Sequence, residues 1–212
     1  MAVQSNFRNM VLCLTAVCLV CSALLAGVYA MTKDPIDKTN AEILRASIGA
    51  VLPEGGGLSE AKDAEIGGQA SEYYVLMRDG SPAAYAVKST VVGFGGPLVL
   101  MVGVTTDGIV YNTSVLSHQE TPGLGAKCNT DAKFMGQWQG FDTNSKVLAV
   151  TKDGGDVDAI TASTITSRAY ALAVKNAVDF VRSLAGAAPT DGASGASVPA
   201  GAPKNDGGQI DE

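Results

Sequence analysis

The chain has 212 residues, 46% of them hydrophobic, with a formal charge of −6 and a sequence pI near 4.8. That is room for one modest domain with a real core, which excludes a wholly disordered chain. The acidic balance and the absence of any Lys and Arg cluster exclude a duplex binder, which needs a basic stripe to displace counterions. Four Cys and one His, with no pairs at ligand spacing, leave no zinc module and no expected metal site.

From Met10 to Met31 no residue is charged. As a helix rising about 1.5 Å per residue, this stretch is long enough to cross a bilayer. Arg8 and the amino terminus precede it, whereas Lys33 is mixed with Asp34 and Asp37 after it, so the charge bias places the N-terminus in the cytoplasm and the rest of the chain outside. Two alternatives stay open: a cleaved signal peptide ending at Val28-Tyr29-Ala30, and lipidation of Cys21, although Val20 stands where a small residue is wanted. Cys13, Cys18 and Cys21 fall in this stretch and read as small packing residues. Cys128 alone belongs to the external part and is expected to be at least partly buried, with no disulfide within the chain.

Lys38 to Val51 places Ile43, Leu44, Ile48 and Val51 at helical spacing and stops before Pro53 and Gly55-Gly56-Gly57, which predicts a short amphipathic helix. Tyr73–Arg78, Ala83–Val92, Pro97–Thr105 and Ile109–Leu116 are rich in β-branched and aromatic residues. They are separated by Asp79-Gly80-Ser81-Pro82, Gly93–Gly96 and Asp107-Gly108, so consecutive strands are expected to pair antiparallel. Gln119 to Phe141 reads as a long ordered excursion, the kind of segment that carries function. A further strand is expected at Val147–Lys152, then a helix over Ala159–Leu184 with Tyr170, Ala173, Val174, Ala177, Val178, Val181 and Leu184 on one face. From Ala187 to Glu212 nearly every residue is Ala, Gly, Pro, Ser, Asp or Asn, a composition expected to be disordered.

Between Thr161 and Ser167 stand five hydroxyls, Thr161, Ser163, Thr164, Thr166 and Ser167, at the entry to the last helix. Capping needs one of them. A helix N-terminus also offers free N–H donors and a positive dipole end, so a phosphate-bearing ligand is the second reading. Gly93, Gly95 and Gly96 lack the Lys-Ser or Lys-Thr that would make a nucleotide P-loop. Gly123 and Gly125 suit either close approach to a flat ring or an ordinary turn. His118 with Glu120 is open to proton exchange or to a structural hydrogen bond. No Gly-x-Ser-x-Gly elbow occurs outside the tail, which argues against a serine hydrolase.

Asp158 to Ser167 resembles the flavinylation signature of the G subunit of the Rnf electron-transport complex and its relative, the C subunit of the sodium-translocating NADH:quinone reductase. That signature is Asp-x-aliphatic-Ser/Thr-Gly-Ala-Ser/Thr. Here Ala162 stands at the Gly position and Ser163 at the Ala position, both small. Gly93-Phe94-Gly95-Gly96-Pro97 resembles the family's glycine turn, and His118-Gln119-Glu120-Thr121-Pro122-Gly123-Leu124-Gly125 its His-x-Glu-Thr-Pro-Gly-Leu-Gly loop. Phe134 and Gln137-Trp138 fall where the family has an aromatic loop. The length and the Gly-Gly-Pro turn favour the Rnf member of the pair.

The resemblance implies an α+β fold: one N-terminal transmembrane helix followed by an FMN-binding domain with a mainly antiparallel sheet packed by helices. The expected organisation is 1–9 cytoplasmic, 10–31 transmembrane, 32–58 linker and amphipathic helix, 59–186 extracytoplasmic FMN-binding domain and 187–212 tail. It implies FMN joined by a phosphodiester to Thr164, with Ser163 as a second possible acceptor, and cofactor contacts from Thr161, Ser163, Ile165, Thr166, Glu120, Thr121, Gly123, Leu124 and Gly125. The implied role is a redox component of a translocase coupling electron flow between ferredoxin and NAD to ion movement, with no complete active site in this chain alone. Implied partners are the A, B, C, D and E subunits of Rnf, a flavin transferase that takes FMN from FAD, and membrane lipid, but no nucleic acid. The implied location is the bacterial inner membrane, single-pass, with the main domain periplasmic. The alternatives are the C subunit of the quinone reductase and a flavin-free periplasmic scaffold.

Overall fold

The computed structural model describes residues 7–186. The expected tail at 187–212 and the first six residues lie outside them. Helix α1 (Phe7–Val51) is one continuous helix, so the apolar stretch and the amphipathic segment are not separated by a loop. Pro35 sits inside it, and the hydroxyls of Thr32 and Thr39 donate back to Val28 O (2.8 Å) and Pro35 O (2.9 Å), the i−4 back-bonding available to Thr within a helix. Among the described residues α1 is the one helix long and apolar enough to cross a membrane, and its apolar window is wholly exposed. Residues to Ala46 form one unit; the second begins at Ser47.

The second unit is built on an antiparallel sheet of seven described strands: β1 (Gly57–Leu58), β2 (Lys62–Ile66), β3 (Gln69–Arg78), β4 (Ser81–Val92), β5 (Pro97–Thr105), β6 (Ile109–His118) and β7 (Phe141–Asp142). The order is β1-β3-β4-β5-β6-β7, with β2 also pairing β3. The four expected strands are present, and β1, β2 and β7 are additional. In the β2–β3 hairpin Lys62, Asp63 and Glu65 alternate with few apolar residues, so hydrophobic pattern does not reveal it; Gly67 and Gly68, both at positive φ, make the two-residue turn.

Strand alternation sorts the sheet into two buried faces. Val87, Val91, Leu98, Leu100, Val102, Val104 and Val110 belong to the main core with helix α3 (Thr164–Leu184). Of the predicted helical face, Tyr170, Ala173, Val174, Ala177, Val178 and Val181 are buried, but Leu184, in the last turn, is exposed. On the opposite face the last turn of α1 closes in: Val51 fills the space over Gly103, Asn112 Nδ2 donates to Ala50 O (3.0 Å) and Ser114 Oγ to Ser47 Oγ (3.0 Å).

The excursion after β6 is ordered but mostly irregular. It contains a short helix, α2 (Ala132–Gly136), capped by Asp131, whose Oδ1 accepts from Lys133 N at 2.9 Å. Its aromatics plug the core: Trp138 stacks on Tyr170 at 5.0 Å between ring centres, and Phe134 meets Tyr170 edge-on at 5.1 Å.

Two expectations are corrected. Val147–Lys152 is not a strand: only Val150 makes a bridge, parallel to Val157, and Thr151–Asp153 is a single tight 3-10 turn. Leu148, Ala149 and Val150 are apolar because they are buried, while the Asp156 carboxylate, not a neighbouring strand, accepts from Val147 N (2.7 Å). The last helix begins at Thr164 and not at Ala159, because Ala162 at φ 61 interrupts the helical backbone.

The phenol of Tyr170 is fully buried and bonds Thr113 Oγ1 at 2.8 Å. Tyr170→Phe strands the Thr113 hydroxyl and is expected to cost about 1–2 kcal/mol. Urea denaturation followed by the fluorescence of Trp138, the single Trp, measures it.

Candidate functional site

Three segments distant in sequence converge on a cleft of about 340 Å³: the glycine turn between β4 and β5, the loop after β6 and the entry to α3. The turn contributes Phe94, the loop Glu120, Thr121, Leu124 and Gly125, and the helix entry Ala162 to Thr166. The volume lies within the ordinary range of small-molecule sites.

A buried carboxylate locks the three together. Glu120 Oε1 accepts from Phe94 N at 2.8 Å and from Gly95 N at 3.4 Å, while Oε2 accepts from Thr166 Oγ1 at 2.8 Å. The glycines make room for it: a Cβ at Gly93 would overlap Glu120 Oε1, and one at Gly125 would overlap Oε2 and stand 2.8 Å from Thr166 Oγ1. Pro122-Gly123, with Gly123 at φ 76, turns the loop so that Thr121 O accepts from Leu124 N and Ala126 N. His118 Nδ1 accepts from Glu120 N at 3.3 Å, so of the two readings of that pair the structure shows the structural hydrogen bond. Cys128 is buried and makes no disulfide; burial, then the negative charge of Glu120, push its thiol up to about 11, which keeps it protonated and unreactive near neutral pH.

The five hydroxyls divide their work. Ser167 Oγ accepts from Ile160 N (2.9 Å) and donates to Ser163 O (3.0 Å), folding the 160–163 segment onto the first turn of α3. Thr166 holds Glu120, and Thr161 is exposed. Thr164 is half-buried, and its Oγ1 accepts from Lys152 Nζ at 3.3 Å. Ser163 occupies the N-cap position, yet its side chain makes no capping bond and its buried Oγ has no hydrogen-bond partner. Capping therefore does not account for this hydroxyl, and the start of α3 opens uncapped by any side chain onto the cleft.

Of the residues that the sequence points to as cofactor contacts, Glu120, Thr121, Leu124, Gly125, Ser163, Thr164, Ile165 and Thr166 line the cleft. Thr161 and Gly123 do not. Phe94 and Ala162 also line it, and Lys152 reaches Thr164 from outside; none of the three is among the expected contacts. Phe94, Leu124 and Ile165 are exposed, giving the cleft an apolar rim. Phe94 is legible as the aromatic inside the glycine turn; Lys152 carries no local signal.

A family model described as an FMN-binding domain matches residues 93–179, a span that encloses all three cleft segments. The G subunit of the ion-translocating oxidoreductase complex of Vibrio vulnificus (strain YJ016) is 36% identical over 174 residues, covering 76% of this chain and 82% of that protein. The chain belongs to the G-subunit family of ion-translocating oxidoreductase complexes. A second member, the G subunit of the proton-translocating ferredoxin:NAD(+) oxidoreductase complex of Clostridium ljungdahlii, is 32% identical over 176 residues, covering 82% of this chain and 90% of that one. Among solved structures, the C subunit of the Na(+)-translocating NADH-quinone reductase of Parabacteroides distasonis is 27% identical, covering 53% of this chain and 62% of that one at a TM-score of 0.41. G-subunit relatives that span most of the chain favour that assignment over the quinone-reductase alternative.

Two substitutions test the geometry. Glu120→Ala leaves Phe94 N–H and the Thr166 hydroxyl without their acceptor and is expected to cost about 2–3 kcal/mol, whereas Glu120→Gln, which keeps an acceptor for Phe94, costs about 1 kcal/mol. Ala162→Gly removes the left-handed strain at φ 61 and is expected to raise stability by about 1 kcal/mol. Urea midpoints at unchanged slope check both.

Proposed function

We propose that this G-type subunit carries FMN through a phosphodiester to Thr164 and relays electrons within an Rnf-type complex. Family membership makes the chain a redox component of an ion-translocating oxidoreductase complex, with an FMN-binding domain and an N-terminal apolar helix that fits membrane association. The observation that carries the covalent reading is the entry to α3: a half-buried Thr164 hydroxyl, a buried and unpartnered Ser163 Oγ and an uncapped helix start meet at one cleft.

The donors fit the cofactor. A phosphate at the start of α3 meets N–H groups and the positive end of the helix dipole. Ser163 Oγ supplies a hydroxyl that no protein group engages. Phe94, Leu124 and Ile165 offer apolar surface at the mouth for a flat ring. FMN, when bound, supplies the electron-transfer chemistry; the protein supplies tether, orientation and electrostatic tuning. Glu120 contributes by fixing the cleft walls, and we assign no catalytic residue.

In this reading Met10–Met31 crosses the bacterial inner membrane with the N-terminus cytoplasmic and the domain periplasmic. The partners are the A, B, C, D and E subunits of Rnf. Maturation requires a flavin transferase, and the complex couples electron flow between ferredoxin and NAD to ion movement. Tethering suits a carrier outside the cytoplasm, because a flavin held only reversibly would be lost to the surroundings.

Intact mass and in-gel flavin fluorescence on protein from its native membrane, repeated for Thr164→Val, test the reading. One FMN residue per chain is expected on the native protein and none on the variant. Survival of the adduct in the variant transfers the assignment to Ser163 or another hydroxyl; native protein without flavin leaves the scaffold reading.

A further inference from the structure

We infer that Lys152 is a positioning residue for the loading of Thr164, its ammonium group facing both the acceptor hydroxyl and the phosphoryl group that the hydroxyl receives. This rests on the proposed attachment at Thr164.

The tight turn carrying Lys152 is firmly held. Asp153 takes both bonds of a bidentate pair with Arg168, at 2.7 Å from Nε and 2.6 Å from Nη2, which pins the turn to the second turn of α3. The Arg168 guanidinium holds the Asp153 carboxyl below its ordinary value, so that pair stays ionised and spends the Arg168 charge internally. Thr151 N bonds Val157 O at 2.9 Å, and Gly154 at φ 83 closes the turn. Lys133, another cation of this region, pairs with Asp158 at 3.1 Å. Lys152 extends from this platform to Thr164, and the bond its ammonium group makes there is to a neutral hydroxyl.

The charge of Lys152 is only partly offset by its own surroundings. Lys152 places a positive charge beside the positive end of α3, where a cation is unfavourable and an anion is stabilised. The neighbouring Asp153 carboxylate also feels the Lys152 charge, so part of that charge is offset within the turn. The placement makes physical sense when an anion arrives between the helix end and the ammonium group.

In the loading step Thr164 Oγ1 bonds to the flavin-side phosphorus of FAD. The bridging P–O bond to the adenylate breaks, AMP leaves, and the hydroxyl proton passes to the transferase or to water. Lys152 takes no proton in this step. Its N–H bond to Oγ1 occupies a lone pair and orients the hydroxyl, and its charge opposes the negative charge on the phosphoryl oxygens.

The test uses full-length apoprotein made in a host without flavin transferase, then incubated with purified transferase and FAD. The initial rate of adduct formation is read by intact mass for the wild type, Lys152→Met, Lys152→Arg and Thr164→Val, alongside melting temperatures. Lys152→Met is expected to load about tenfold more slowly or worse, with Lys152→Arg restored to within about threefold. The melting temperature of Lys152→Met should be nearly unchanged, because relief of the repulsion at the helix end offsets the lost attraction to Asp153. Loading of Lys152→Met at the wild-type rate overturns the inference, as does slow loading with a lowered melting temperature and no rescue by Arg. Loading of Thr164→Val, or no loading of the wild type, instead defeats the attachment reading itself and takes the inference with it.

Discussion

The buried carboxylate of Glu120 is the constraint on which the cleft depends. A desolvated charge is tolerated only when its lone pairs are engaged, and here backbone donors from the glycine turn and a hydroxyl from α3 engage them. This one requirement explains several residue choices at once. Gly93 and Gly125 are glycine because the carboxylate occupies the space of a side chain, Thr166 faces inward because its hydroxyl is the third donor, and the loop turns sharply at Pro122-Gly123 so that Glu120 is delivered to the junction. The sheet, the loop and the helix are thereby set in register at the point where the cleft opens.

The entry to α3 is built against ordinary helix practice. An N-cap Ser would normally accept a bond from the first turn; Ser163, with φ −136 and ψ 45, does not. Ala162 accepts a left-handed backbone that Gly adopts without strain, and Ser167 reaches back to support the segment that precedes it. The result is a strained and uncapped helix start held from behind, opening onto the cleft. Such local departures from the stabilising choice collect where a site needs open donors.

How far this is legible in the sequence follows from the kind of signal each part carries. The central strands declare themselves through β-branched residues and their turns through Asp-Gly and the glycine run, because burial on both faces requires apolar side chains. The β2–β3 hairpin is edge structure with charged side chains, so its signal lies only in Gly67-Gly68. At Val147–Lys152 apolar content imitates a strand, since burial and extended pairing draw on the same residues. Helical periodicity extends the last helix too far toward the N-terminus because it cannot register a single left-handed residue. Most cleft residues are found through the family resemblance and not through pattern. The Glu120–Thr166 bond and the reach of Lys152 join positions 46 and 12 residues apart, and no local pattern encodes such meetings.

The charge distribution ties these features to function. The chain is acidic overall, yet the start of α3 combines the positive end of a 21-residue helix with the ammonium group of Lys152. The Arg168–Asp153 pair lies beside it as a neutral clamp, adding rigidity without adding charge to the opening. In a chain of acidic balance this opening offers an anion a local positive charge, with N–H donors and a hydroxyl beside it. The apolar rim of Phe94, Leu124 and Ile165 adds a second requirement, because an anion that also carries a flat apolar body satisfies both surfaces, whereas inorganic phosphate satisfies only one. FMN has both parts, and the cleft's two kinds of surface lie on elements that Glu120 holds together.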